Sequence, residues 1–127
     1  MAWRESFDIP PVMHNAPIPM ITRVGNMVFT SGVMGSDPET GQMPESVEQQ
    51  ARNCFTNMVN ALAKAGATAS DVAHINVMIK ETETRTAVNP PWLELFPDEH
   101  SRPARHALVV PSLNFAIQIE AIAVVQG

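Results

Sequence analysis

Cysteine is nearly absent from this 127-residue chain: Cys54 stands alone, so no disulfide can close within it. A reducing compartment is therefore the simplest home. There is no positive excess. Eight Lys and Arg face thirteen Asp and Glu, a formal net charge of −5, which argues against nucleic acid as the main partner, since phosphate binding calls for a basic surface. No apolar run approaches the ~18 residues that cross a bilayer. The opening MAWRESFDIPP has no apolar core of signal-peptide length. The cytoplasm is the expected compartment, with no membrane partner. Repeats, low-complexity tracts and linkers are missing too, so a single domain over residues 1–127 is expected. His14, His74, His100 and His106 share no ligand spacing and no acidic cluster accompanies them, so no metal is expected.

What is present is an ordinary globular composition, 45% hydrophobic and 17% charged. A short strand or arm is expected around Ser6–Ile9. Gly25-Asn26 separates two β-prone runs, Met20–Val24 and Met27–Ser31, and supplies the positive φ angles of a tight hairpin. Residues 35–44, GSDPETGQMP, read as turns. Val47, Ala51, Cys54, Phe55, Met58, Val59 and Leu62 follow helical spacing. With Ser46 and Gln49 at capping-box spacing and Gly66 as a stop, a helix is expected over 46–65. Cys54 lies at the edge of its apolar face and reads as a structural core thiol. AHINVMIK reads as a strand with Ala73, Ile75, Val77 and Ile79 on one face and His74, Asn76, Met78 and Lys80 on the other. Pro90-Pro91 predicts a break at Asn89, a good N-cap, with a turn before it and a short helix after it. Trp92 and Phe96 on that helix suit core or interface. Two strands close the chain, at about 104–110 and 115–125.

This order predicts an α+β fold, one sheet with both helices packed on one face. In the last strand Phe115, Ile117, Ile119, Ala121 and Ala123 would face the helices, leaving Ala116, Gln118, Glu120, Ile122 and Val124 on a half-apolar, uncovered face. Such a face predicts an oligomer. Within RPARHALVVPSLNFAIQIEAIAVV two residues do not suit buried strands, Arg105 and Glu120. One reading is a mutual buried salt bridge, although two apolar residues would often serve stability as well. The other is a ligand site: a guanidinium fork matches a carboxylate, and a nearby carboxylate can hold a water or move a proton. His106 should point away from Arg105, in a structural or surface role.

"RPARHALVV…NFAIQIEAIAVV" resembles the signature of the RidA/YjgF family, "GNMVFTSG" its early hairpin, and "QARNCFTNMVNALAKAGATASDV" its first helix and following turn. The resemblance runs from about Ile18 to Val125. It implies a chorismate-mutase-like fold and a homotrimer with sites in the clefts between subunits. It also implies hydrolysis of imino or enamino acids such as 2-iminopropanoate to keto acids and ammonia, with no metal or organic cofactor. By position, Arg105 would clamp the substrate carboxylate, Glu120 would orient the attacking water, and Ser31 and Asn89 would line the pocket. Ile18 stands where archetypal members carry a tyrosine, and Ala107 where they carry a cysteine. The pocket is therefore expected to be more apolar, suiting a larger or more apolar acid, for example an aminomuconate-like intermediate. His14, in the loop near the expected cleft, is a further candidate contact. The alternative is a non-catalytic trimeric module that binds a small carboxylate or a partner protein through the same arginine. Some relatives are described as endoribonucleases; the acidic balance and the lack of a basic-aromatic stripe weigh against that activity.

Overall fold

The computed structural model describes residues 2–126. Strand β1 (Arg4–Phe7) pairs with β2 (Ile21–Val24), which turns into β3 (Met27–Thr30). The hairpin forms as its sequence predicts, but only Gly25 takes a positive φ, at 58°, so the turn needs glycine at its first central position alone. The first strand begins earlier than expected, and Ile9 instead makes an isolated bridge to Val12. A two-residue strand, β4 (Val33–Met34), precedes the turn region.

Helix α1 spans Val47–Lys64. Ser46 caps it by accepting the Gln49 N–H at 3.2 Å, whereas the Gln49 side chain turns to Asn53 rather than completing a capping box. Gly66, at φ 78°, ends it. Beside the apolar face runs a buried polar stripe that the hydrophobic spacing does not reveal. Asn57 donates to the carbonyls of Met34 and Ser36, Asn53 to Gly35, and Gln50 to Pro44 while accepting the Ala116 N–H. These bonds satisfy loop backbone groups that burial would otherwise leave unpaired.

Strand β5 (Val72–Ile79) is followed by a 3₁₀ turn at Thr82–Thr84 and helix α2 (Arg85–Leu95). The expected break at Asn89 does not occur. Asn89 lies inside α2, and Pro90 and Pro91 follow it without interrupting the helix. The prolines deprive the Thr86 and Ala87 carbonyls of their donors, at a cost of about 3 kcal/mol for an interior proline. Burial of Val88, Pro91 and Trp92 offsets this, at about 1.5–3 kcal/mol for a large apolar side chain. Local start signals were overridden by packing.

Strands β6 (Ala104–Val109) and β7 (Ile117–Val124) complete one mixed sheet in the order β1-β2-β3-β7-β5-β6, with β4 also on β7. β6 is an edge strand parallel to β5, and β7 runs antiparallel between β3 and β5. Ile117, Ile119, Ala121 and Ala123 are buried under the helices, as their alternation predicts. Among the described residues the opposite face carries no helix. Met27, Phe29, Leu108, Ile122 and Val124 lie on it, each between 36% and 46% exposed.

Candidate functional site

Register decides how Arg105 and Glu120 relate. Arg105 pairs with Ile75, and Glu120 pairs with Asn76, the next residue along the same strand. Neighbouring strand residues point to opposite faces. Arg105 therefore stands on the helix-bearing face and Glu120 on the open one. A salt bridge between them within one chain is excluded.

On the helix-bearing face, Asn89 and Trp92 are three residues apart on α2 and so present a common surface. Both meet Arg105. Its Nη2 donates to Asn89 Oδ1 at 3.0 Å, and its guanidinium carbon lies 4.9 Å from the centre of the Trp92 ring. Trp92 is in turn packed edge-on against Phe96, with centroids 4.9 Å apart. Nη1 is buried and has no partner among the described residues. Burial, and then the nearby Arg85, hold the guanidinium below its ordinary value, yet an arginine remains charged. Ala107, two residues along β6, lies on the same face beside Val77. His106 points the other way, as expected, and so does Leu108.

On the open face, Asn76 Nδ2 donates to Glu120 Oε1 at 2.8 Å. That bond fixes one carboxylate oxygen and leaves the other to accept. A recess of about 140 Å³ lies over it, lined by Phe29, His74, Asn76, Glu120 and Ile122 among others. Phe29 opposes Ile122 and Val33 opposes Ile119, so four steps on one strand meet three on the other. The extra residue makes a bulge over Thr30–Gly32, which re-aims the chain beside Glu120. Thr30 Oγ1 accepts the Ala121 N–H there at 2.8 Å. Ser31 stands in this bulge and donates its hydroxyl to the Pro19 carbonyl at 2.7 Å, leaving its oxygen free to accept. That contact brings the exposed Ile18, next to Pro19, towards Ser31. His14 is half-buried in the preceding loop, with Nε2 unpartnered among the described residues.

The expected residues thus form separate groups. Arg105, Asn89 and Ala107 sit at the β6 edge under α2. Glu120 stands on the open face, while Ser31, with Ile18 near it, and His14 lie in the segments outside the regular strands. Two participants were missed by sequence reasoning, Trp92 beneath the guanidinium and Asn76 beside Glu120. A continuous helix through the prolines would have placed Trp92 over Asn89's face; the Asn76 pairing needed the register. No group of His, Cys, Asp or Glu among the described residues could hold a metal ion.

A mixed sheet carrying two helices on one face, with an arginine presented at its edge, is the chorismate-mutase-like α+β arrangement. The family model described as Endoribonuclease L-PSP matches residues 16–125. The chain is 36% identical over 105 residues to the 2-iminobutanoate/2-iminopropanoate deaminase of Escherichia coli strain K12, covering 80% of this chain and 81% of that one. The E. coli YjgF gene product superposes with a TM-score of 0.85 at 29% identity, over 96% and 99% of the two chains. E. coli TdcF, solved with bound serine, gives 0.82 at 27% identity over 95% and 94%. The chain belongs to the RidA/YjgF family.

Proposed function

We propose that this protein hydrolyses small imino or enamino carboxylic acids to keto acids and ammonia, without metal or organic cofactor, in sites shared between chains of a homotrimer. The observation that carries this reading is the guanidinium of Arg105, held by Asn89 and Trp92 with one buried nitrogen left without a partner. A carboxylate supplies the negative charge and the acceptor that this nitrogen lacks. Relatives named 2-iminobutanoate/2-iminopropanoate deaminase and putative reactive intermediate deaminase support the same chemistry.

Arg105 and Glu120 face opposite ways, so one site uses Arg105 of one chain and Glu120 of its neighbour. Docking an edge onto the open face would also cover Phe29, Ile122 and Val124. In such a cleft Arg105 clamps the substrate carboxylate and Asn89 keeps the fork in place. Glu120, steadied by Asn76, accepts a hydrogen bond from water and aims it at the electrophilic carbon. Water adds to C=N, the tetrahedral carbinolamine gains a proton on nitrogen, and C–N cleavage releases ammonia and leaves C=O. An iminium carbon is already electrophilic, so positioning and one base supply most of the acceleration. Ile18 and Ala107 make the walls apolar, favouring an acid larger or more apolar than 2-iminopropanoate.

The test supplies 2-iminobutanoate generated in situ by an amino-acid oxidase, with Glu120→Gln beside the parent. The expected result is rapid hydrolysis by the parent, and a variant with kcat reduced about 100-fold or more that still binds a 2-oxo acid. A parent that binds the 2-oxo acid yet leaves the imine at its uncatalysed rate would instead establish the non-catalytic carboxylate-binding module.

A further inference from the structure

Arg85 opens α2 four residues before Asn89 and seven before Trp92. These three positions share one helix face. Asn89 and Trp92 both touch Arg105, so this is the face turned to the guanidinium, and Arg85 stands one turn further towards the helix start. It is exposed and makes no hydrogen bond or ion pair among the described residues, where the ion pairs are Arg52–Glu94 and Glu99–His100. Glu81 and Glu83 come within one turn before it, yet neither bridges to it. The first turn of α2 itself carries no acidic side chain; Glu83 lies in the 3₁₀ turn that runs into it.

The charge of Arg85 is felt at Arg105, where it adds to burial in disfavouring the charged form. Two guanidinium groups near one another with no carboxylate between them repel. An anion reaching both removes that cost. One carboxylate at Arg105 Nη1 leaves Arg85 without a counter-charge, whereas a second carboxylate, directed towards the start of α2, meets it.

We propose that Arg85 is a second anion anchor and that the substrate is a short-chain imino or enamino diacid. Arg105 takes the carboxylate beside the C=N carbon, and Arg85 takes the distal one. The inference rests on the deaminase reading above. The reaction is the same hydrolysis, and the distal carboxylate passes through it unchanged.

The experiment compares 2-iminoglutarate with 2-iminopentanoate, each generated in situ from its amino acid by an oxidase. The two share chain length and differ in the terminal carboxylate. The expected result is a kcat/KM ratio favouring the diacid by about tenfold, the scale of one hydrogen bond to a charged group. Arg85→Gln should bring the ratio close to one, and Arg85→Lys should keep most of it. No preference in the parent, or a preference that survives Arg85→Gln, overturns the proposal. If neither imine is hydrolysed, the deaminase reading fails. Calorimetric binding of 2-oxoglutarate against 2-oxopentanoate then decides Arg85 separately: tighter diacid binding lost in Arg85→Gln supports the anchor, and equal binding refutes it.

Discussion

Arg105→Lys keeps the charge and removes the fork. In the parent, Nη2 is held by Asn89 at 3.0 Å, the guanidinium carbon lies 4.9 Å from the centre of the Trp92 ring, and Nη1 has no partner among the described residues. An ammonium is a compact donor on a flexible stem and cannot make two parallel bonds to one carboxylate. Losing one charge-assisted bond to the substrate costs about 1.5–3 kcal/mol. Losing the stacking that aims the group adds about 0.5–1 kcal/mol. The sum, about 2–4 kcal/mol, corresponds to a fall in kcat/KM of roughly 30- to 1000-fold. Stability should change little, because the side chain is half-buried and its stem can still pack. The assay pairs imine hydrolysis with thermal unfolding and with affinity for a 2-oxo acid, so that a folding defect is separated from a binding one. Unchanged kcat/KM and unchanged affinity in the lysine variant would refute the carboxylate clamp.

Two further outcomes follow from the same geometry. Sedimentation at micromolar concentration should give the mass of three chains, and a stable monomer would remove the shared site. Cys54 is fully buried, with Sγ 3.7 Å from the Ile117 carbonyl, and burial pushes its thiol well above the ordinary range. It should resist alkylation near pH 8 in the native protein and react once denaturant is added; stoichiometric labelling of the folded chain would contradict that placement.

Much of this architecture is legible from local pattern. The alternation in β7 identifies its buried residues because a period of two leaves no choice once one face is apolar. The capping and stop residues bound α1 within a residue or so, although Gln50, Asn53 and Asn57 escape notice because their burial depends on loop carbonyls brought from elsewhere. The α2 boundary fails for a related reason: proline rules are local, while Val88, Pro91 and Trp92 gain their stability from the layer beneath. The chemical types of Arg105 and Glu120 mark them as site candidates, but nothing in the sequence relates their faces. That relation depends on how β6 and β7 each register against β5, a non-local fact. Asn76 was missed on the same account, and Trp92 because the helix was expected to break at Asn89.

The opposed placement of Arg105 and Glu120 has a genetic meaning. In the proposed assembly no chain owns a complete site, so inheritance of activity follows pairs of chains rather than single ones. A chain lacking only Arg105 still lends a working Glu120 to a neighbour, and a chain lacking only Glu120 still lends its Arg105. Co-expressed in one cell, two individually dead alleles would complement each other. An allele defective at both positions would interfere instead: in a trimer with two intact chains it silences the sites on both of its flanks and leaves one, while folding and assembling normally.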